Sequence, residues 1–324
     1  MRVIRPTREE KKKLWDVPYI FQEKMVTAQW LKDYSNMWGI NTRYLEVMFW
    51  QLDTLYLLSK GDLTWKGGTC VQSHMDPLYQ RYSVDLDFNS SLDREGIIQF
   101  FESLNAMIKK DGKFVELNGV KVGLFSLHSE NERIGVLNFI RLVPSKHKSE
   151  YPVRGEVKIL GVLPIKIQVN YRYFLATGFT SLKTELMKPG LAPAKIIGID
   201  YKVWHSSLSD LLADKLLAMI HVVGRHQGRM RIKDAYDIIL ILRKGEGNID
   251  FSLVKRKIDV VSETWKIDYD TAVNESLKTL GTLKSYDLEV RGLRGSVGHN
   301  GYTDIILQWR KRIDDAVKVL REEL

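Results

Sequence analysis

The chain has 324 residues, 44% hydrophobic and 27% charged, with a formal net charge of +9. This balance argues against an intrinsically disordered chain and fits a soluble globular protein of about two structural units, while the surplus of Lys and Arg favours a polyanionic partner or serves solubility alone. The single cysteine, Cys70, excludes an intrachain disulfide and argues against a Cys-based metal cage. No stretch approaches the roughly 18 apolar residues that span a bilayer, so no membrane association is expected; with no export signal at the charged start, a cytoplasmic location is.

Residues 7 to about 60 read mostly as helix, with Thr7 ahead of Glu9 and Glu10 as a start and apolar spacing through Phe21, Met25, Trp30 and Leu31. The run from Tyr44 to Leu58 is apolar nearly all round, which predicts a helix buried behind a sheet. Gly61-Asp62 turns the chain into Leu63-Thr64-Trp65, where Trp65 fills core or stacks on a base. Lys66-Gly67-Gly68-Thr69 follows. Adjacent glycines let backbone approach phosphate oxygens, and a helix beginning near Thr69 aims free N–H groups at the same anion. Cys70, just past the turn, reads as a small helix-packing residue or as a thiol with its pKa lowered by the helix terminus.

Arg81-Tyr82-Ser83-Val84-Asp85-Leu86-Asp87-Phe88 alternates as a strand. Asp85 and Asp87 share one face with Ser83, while Val84, Leu86 and Phe88 point into a core. Two carboxylates about 7 Å apart can grip one or two Mg²⁺ (or Mn²⁺) ions, which prefer carboxylate, water and phosphate oxygens. Turn and strand together read as a nucleotide-handling site.

Helical spacing over 94–110 gives way to short strands. Asn118-Gly119 predicts a tight hairpin between 113–117 and 120–124, and strands are expected at about 133–143 and 157–171. In the last, Lys166, Gln168 and Asn170 take the face opposite Ile165, Ile167 and Val169. From Ser206 onward the chain reads as helical, with Ser209 or Asp210 capping Leu211–Val223 and Gly224 ending it. Lys215 lies on an apolar stripe with Leu211, Ala218 and Met219. A short loop to the next helix allows a hairpin that brings Lys215 and Asp234 to one cleft, as catalytic partners or as a plain ion pair. Asp237 shares the face of Asp234 and reads as a helix cap or loop anchor, or as a metal ligand. Arg225, Arg229, Arg231 and Lys233, in a segment without acids, form either a nucleic-acid contact or a solvated loop or phosphate clamp. The Gly- and Arg-bearing stretch 291–300 is a further nucleic-acid contact or a flexible connector. The histidines show no zinc-type spacing with cysteine, and none is assigned a role.

Four segments stand in order: Lys66-Gly67-Gly68-Thr69, Arg81-Tyr82-Ser83-Val84-Asp85-Leu86-Asp87, Ala213-Asp214-Lys215-Leu216 and Lys233-Asp234-Ala235-Tyr236-Asp237. In this the chain resembles the AbiEii/AbiGii toxin family of the polymerase-β-like nucleotidyltransferase superfamily. The resemblance implies an α/β (α+β) fold: a helical part over 1–60, a nucleotidyltransferase core with a small mixed sheet over 61–205, and a C-terminal helical domain over 206–324 that completes the active site. It implies transfer of NMP from an NTP to an acceptor hydroxyl with release of pyrophosphate. Lys66, Gly67, Gly68, Thr69 and Ser83 would bind the nucleotide, Asp85 and Asp87 the metal, while Lys215 neutralises the triphosphate and Asp234 completes the pocket. It further implies a toxin–antitoxin or phage-defence setting, with a cognate antitoxin and an RNA acceptor such as the 3′ end of tRNA.

One position departs from the pattern. The superfamily usually presents a third carboxylate where this chain has Gln168, and a neutral amide cannot help deprotonate a hydroxyl. Either Asp85, Asp87 and Asp234 suffice, or the chain is an RNA- or nucleotide-binding module of the same fold with little turnover. Transfer to a protein or a small molecule is a third reading.

Overall fold

A computed structural model describes residues 2–4, 6–15, 27–117, 119–145, 150–153, 157–171, 184–220 and 231–324. Strand β1 (Arg2–Ile4) and helix α1 (Arg8–Trp15) precede α2 (Ala28–Trp38) and α3 (Thr42–Leu58). Asn41 caps α3 by accepting from the Arg43 amide, and the helix buries Leu45 through Leu55. Its two buried acids are satisfied: Asp53 pairs with Arg141 at 2.8 Å, and Glu46 accepts from Ser145 Oγ at 3.0 Å. Trp30, expected on the apolar face, is 40% exposed, whereas Leu31 is buried. Phe21 and Met25 lie outside the described residues.

Next come β2 (Leu63–Lys66), α4 (Gly67–Ser73), β3 (Asp85–Ser90) and α5 (Arg94–Lys110). The last matches the predicted bounds because Asp93 accepts from the Gly96 amide and Ile97, Phe101, Leu104 and Ile108 bury one stripe. Strands β4 (Val115–Leu117) and β5 (Val120–Val122) pair as a hairpin, with Gly119 at φ +78° and Asn118 outside the described residues. Then follow β6 (Phe125–Asn131), β7 (Val136–Pro144), β8 (Glu150–Val153), β9 (Val157–Leu160), β10 (Val162–Asn170), β11 (Thr184–Met187) and β12 (Val203–Ser206).

Seven strands form the central mixed sheet in the order β11-β12-β2-β3-β10-β7-β6, and β1, β9 and β8 form a separate one. The strand expected over 157–171 is therefore two. Gly161, at φ +81°, breaks it, and its halves join different sheets. In the central sheet β3 runs antiparallel to β2 and parallel to β10. Leu86, Phe88, Ile165, Ile167 and Val169 are buried on the core side, as the alternation predicts. Val84 is not: it precedes β3 and is 40% exposed.

The later helices are α6 (Leu208–Ile220), α7 (Ile232–Lys244), α8 (Phe251–Thr264), α9 (Tyr269–Thr282) and α10 (Trp309–Glu323), with shorter turns between. Helix α6 starts earlier than predicted because Ser207 Oγ, not Ser209 or Asp210, accepts a first-turn amide, that of Asp210. The predicted stop at Gly224, together with Arg225 and Arg229, lies outside the described residues. The stretch 291–300 is no loose connector. Tyr82 donates its amide to the Ser296 carbonyl at 2.6 Å, Gly298 donates to Gln80 at 2.8 Å, and Val297 is buried. The segment leading into β3 is thus held by chain more than 200 residues away. No described helix is long and apolar enough to cross a membrane.

Candidate active site

The glycine turn closes directly on the aspartate strand. Gly67 sits at φ +77°, and a Cβ there would lie 2.1 Å from Asp87 Oδ2, so only glycine serves both the backbone conformation and the close approach. A Cβ on Gly68 would meet Arg81 Nη2 at 2.7 Å and Ser83 Oγ at 2.9 Å. Thr69 Oγ1 donates to the Asp85 carbonyl oxygen at 2.5 Å, which ties α4 to the start of β3. Register places the rest: Lys66 and Gln168 flank Asp87 on neighbouring strands, and Lys166 stands beside Asp85. Residues in register share a face, so Lys66, Asp85, Asp87, Lys166 and Gln168 form one surface.

Burial raises the pKa of Asp85, with Lys166 and Lys233 acting the other way. Asp87 is pushed up to about 6, first by burial and then by the charge of Asp85, against the pull of Lys66 and Lys215. Asp85 Oδ1 is buried with no hydrogen-bond partner among the described residues. Two carboxylates raised by desolvation, Asp87 also by the charge of Asp85, with an orphaned oxygen on Asp85, fit the donor set of a hard divalent cation. Its charge would supply what both acids lack.

Above this surface lies a compact ion network. Asp237, fully buried, accepts from Arg81 Nε at 2.8 Å and Nη2 at 2.6 Å, and from Gln72 Nε2 at 2.8 Å. Lys215 Nζ lies 2.6 Å from Asp234 Oδ1 and 2.7 Å from Asp237 Oδ2, so the hairpin of α6 and α7 does bring Lys215 and Asp234 together. Arg231 holds the other oxygen of Asp234 at 2.9 Å. Burial works to raise the Asp234 carboxyl, but Lys215 and Arg231 outweigh it and hold it at about 2. Lys215 loses by desolvation and gains more from Asp237 and Asp234, so its pKa rises and it stays charged. Lys233 is exposed on α7, and its charge acts on Asp85.

Two features escape the sequence reading. The Arg81–Asp237 pair joins the loop before β3 to α7 across 156 positions, a link no local spacing reveals. Cys70, His74 and His205, passed over as ligands, each offer a ligand atom within 4.8 Å of the others. The signal present was the four-residue step from Cys70 to His74, which places both on one face of a helix. Burial, then the neighbouring His205, lowers the His74 pKa to about 3.

A family model described as "Nucleotidyl transferase AbiEii toxin, Type IV TA system" matches residues 58–298. No curated protein matches the chain. Among solved structures, a protein from H. pylori assigned to the nucleotidyltransferases is similar with a TM-score of 0.44 at 13% identity, over 92% of this chain and 98% of that one. An antigenic nucleotidyltransferase-like protein from Paracoccidioides brasiliensis is similar with a TM-score of 0.37 at 18% identity, over 75% of this chain and 95% of that one.

Proposed function

Because the chain belongs to the AbiEii family of nucleotidyl transferase toxins from type IV toxin–antitoxin systems, we propose that it transfers NMP from an NTP to an RNA acceptor such as the 3′ end of tRNA, in the cytoplasm and under restraint by a cognate antitoxin. The observation that carries the reading is the convergence of Gly67 with Asp85 and Asp87 on one sheet face. In the reaction the acceptor hydroxyl releases its proton to solvent as its oxygen bonds to the α-phosphorus, the bond to the bridging oxygen breaks, and pyrophosphate leaves with the electron pair. A divalent ion held by Asp85 and Asp87, Mg²⁺ or Mn²⁺, would supply charge neutralisation and alignment of the reacting oxygens.

The chain's own groups do the remainder. Gly67 lets Asp87, and Gly68 lets Arg81 and Ser83, come up against the turn backbone, and Lys66, Gly67, Gly68, Thr69 and Ser83 would bind the nucleotide phosphates beside the two acids. Among the described residues the ion pairs of Arg81, Lys215 and Arg231 are with Asp234 and Asp237, three cations on two carboxylates, an arrangement suited to a leaving pyrophosphate. Asp237 orients Lys215 and Arg81 rather than holding metal. Arg231 and Lys233, at the start of α7, extend the positive field toward an RNA strand.

Gln168 beside Asp87 supports a second reading, nucleotide binding with little turnover. Incubation of purified protein with Mg²⁺, total tRNA and each labelled NTP decides. Labelled tRNA that is lost in Asp85→Ala and Asp87→Ala supports transfer; no label with any NTP supports the binding module; label that forms without RNA points to a protein or small-molecule acceptor.

A further inference from the structure

The geometry points to a zinc site, separate from the acidic face, formed by Cys70, His74 and His205. Their ligand atoms lie within 4.8 Å of one another. Zinc bonds of about 2.3 Å to sulfur and about 2.0 Å to nitrogen set tetrahedral ligand atoms roughly 3.5 Å apart, so about 1 Å of side-chain movement closes the set.

The backbone of Ser206 orients all three. His205 Nδ1 lies 3.1 Å from the Ser206 carbonyl oxygen. A carbonyl only accepts, so that nitrogen carries the proton and Nε2 keeps a lone pair. His74 also bonds to the Ser206 backbone, and its Nε2 is buried with no hydrogen-bond partner among the described residues. Ser206 further makes a backbone hydrogen bond to Cys70. An imidazole whose second nitrogen is fixed by a carbonyl is the usual outer-shell arrangement of a zinc ligand. The histidine rings stand 4.7 Å apart at 78°, edge to face, which leaves neither stacked over the other's ring nitrogens.

The donor set selects the ion. One thiolate with two neutral imidazoles is a soft-to-borderline set that suits Zn²⁺ and disfavours Mg²⁺. Binding forms a Zn–S bond and releases the Cys70 thiol proton to solvent. Cys70 lies on α4, His74 caps the C-terminal end of that helix, and His205 lies on β12. The ion therefore clamps α4 to the sheet one residue past Thr69, a structural role for the turn that needs no part in the transfer reaction.

Co²⁺ titration of the reduced full-length protein tests this, because a thiolate-to-cobalt charge-transfer band reports sulfur ligation and cannot arise from Asp85 or Asp87. The expected result is about one equivalent bound with that band, displaced by Zn²⁺. The band is lost in Cys70→Ser and His205→Gln and kept in Asp85→Asn/Asp87→Asn. Zn²⁺ also raises the Tm of the unaltered chain and leaves that of His205→Gln unchanged. A folded unaltered chain with no thiolate band overturns the site, as does a band that persists when His74 and His205 are both glutamine. The readout is metal uptake by the unaltered protein, so it stands whether or not RNA is labelled.

Discussion

Gly67 and Asp87 touch: a methyl group on the glycine would sit 2.1 Å from Asp87 Oδ2 and 2.8 Å from its Cγ. With φ at +77° the backbone itself also resists any other residue. Gly67→Ala therefore has to unwind the turn or expel the carboxylate. We expect it to cut nucleotide transfer by about 100-fold, the scale of an ångström-level misplacement, and to lower stability by about 1–2 kcal/mol. Gly68→Ala is the comparison. Its φ is ordinary, and a Cβ there would press on Arg81 Nη2 and Ser83 Oγ rather than on Asp87, so its loss should fall on the buried Arg81–Asp237 pair. A Gly67→Ala protein with parental transfer and a parental urea midpoint would contradict the contact.

Asp87 makes function and stability oppose each other. Its pKa is raised to about 6, so the folded state holds its proton more tightly than the unfolded chain does. The resulting penalty is absent below the unfolded value, grows as pH rises, and is complete above about 6. Asp87→Asn removes that penalty, and thermal melts without divalent ions at pH 7.5 should show it more stable by about 1–3 kcal/mol, with transfer abolished. Below about pH 3 the gain should vanish. Added Mg²⁺ should raise the Tm of the parent and not of the variant. A variant less stable than the parent at pH 7.5 would mean the carboxylate already has its partner within the protein.

The face that carries Asp85 and Asp87 was legible because a strand's two-residue period separates Leu86 and Phe88 from the acids without help from the rest of the chain. Helix α5 was legible for a like reason, an amphipathic stripe behind an Asp93 cap. Val84 was misplaced because the residues before Asp85 are held by Ser296 and Val297, contacts far along the chain that override local alternation. The anchoring partner of Asp237 was hidden in the same way. Cys70 and His74 show their helical spacing, but the third member comes from β12, and no one-dimensional pattern announces a strand beside a helix.

Asp237 and Asp234 both hold Lys215, yet their removal should differ sharply. Arg81 has 4% of its side chain exposed and Asp237 none, so Asp237→Ala leaves a buried guanidinium unpaired. Loss of one member of such a pair costs about 3–5 kcal/mol. Asp234 is 14% exposed, and its partners Lys215 and Arg231 keep Asp237 or solvent. Asp234→Ala should cost about 1 kcal/mol while reducing transfer. Urea denaturation of both variants at neutral pH checks the order; an Asp234→Ala variant as unstable as Asp237→Ala would show that the network hangs on the outer acid.

Gln168 offers the converse experiment, adding an acid instead of removing one. It is exposed on β10, in register with Asp87 across a parallel pair, so Gln168→Glu places a third carboxylate on the acidic face with no core to disturb. Without metal, a like charge there raises the Asp87 pKa further, above about 6. With metal, the added oxygen ligand favours the ion. The midpoint of Mg²⁺ activation should fall by about 3- to 10-fold, on the scale of about 1 kcal/mol for one exposed charge, and the acid limb of the pH profile should move to higher pH at fixed low Mg²⁺. Transfer assays across Mg²⁺ concentration and pH read both shifts. If neither moves, the ion lies away from β10, and the chain works with a two-acid site on β3 alone.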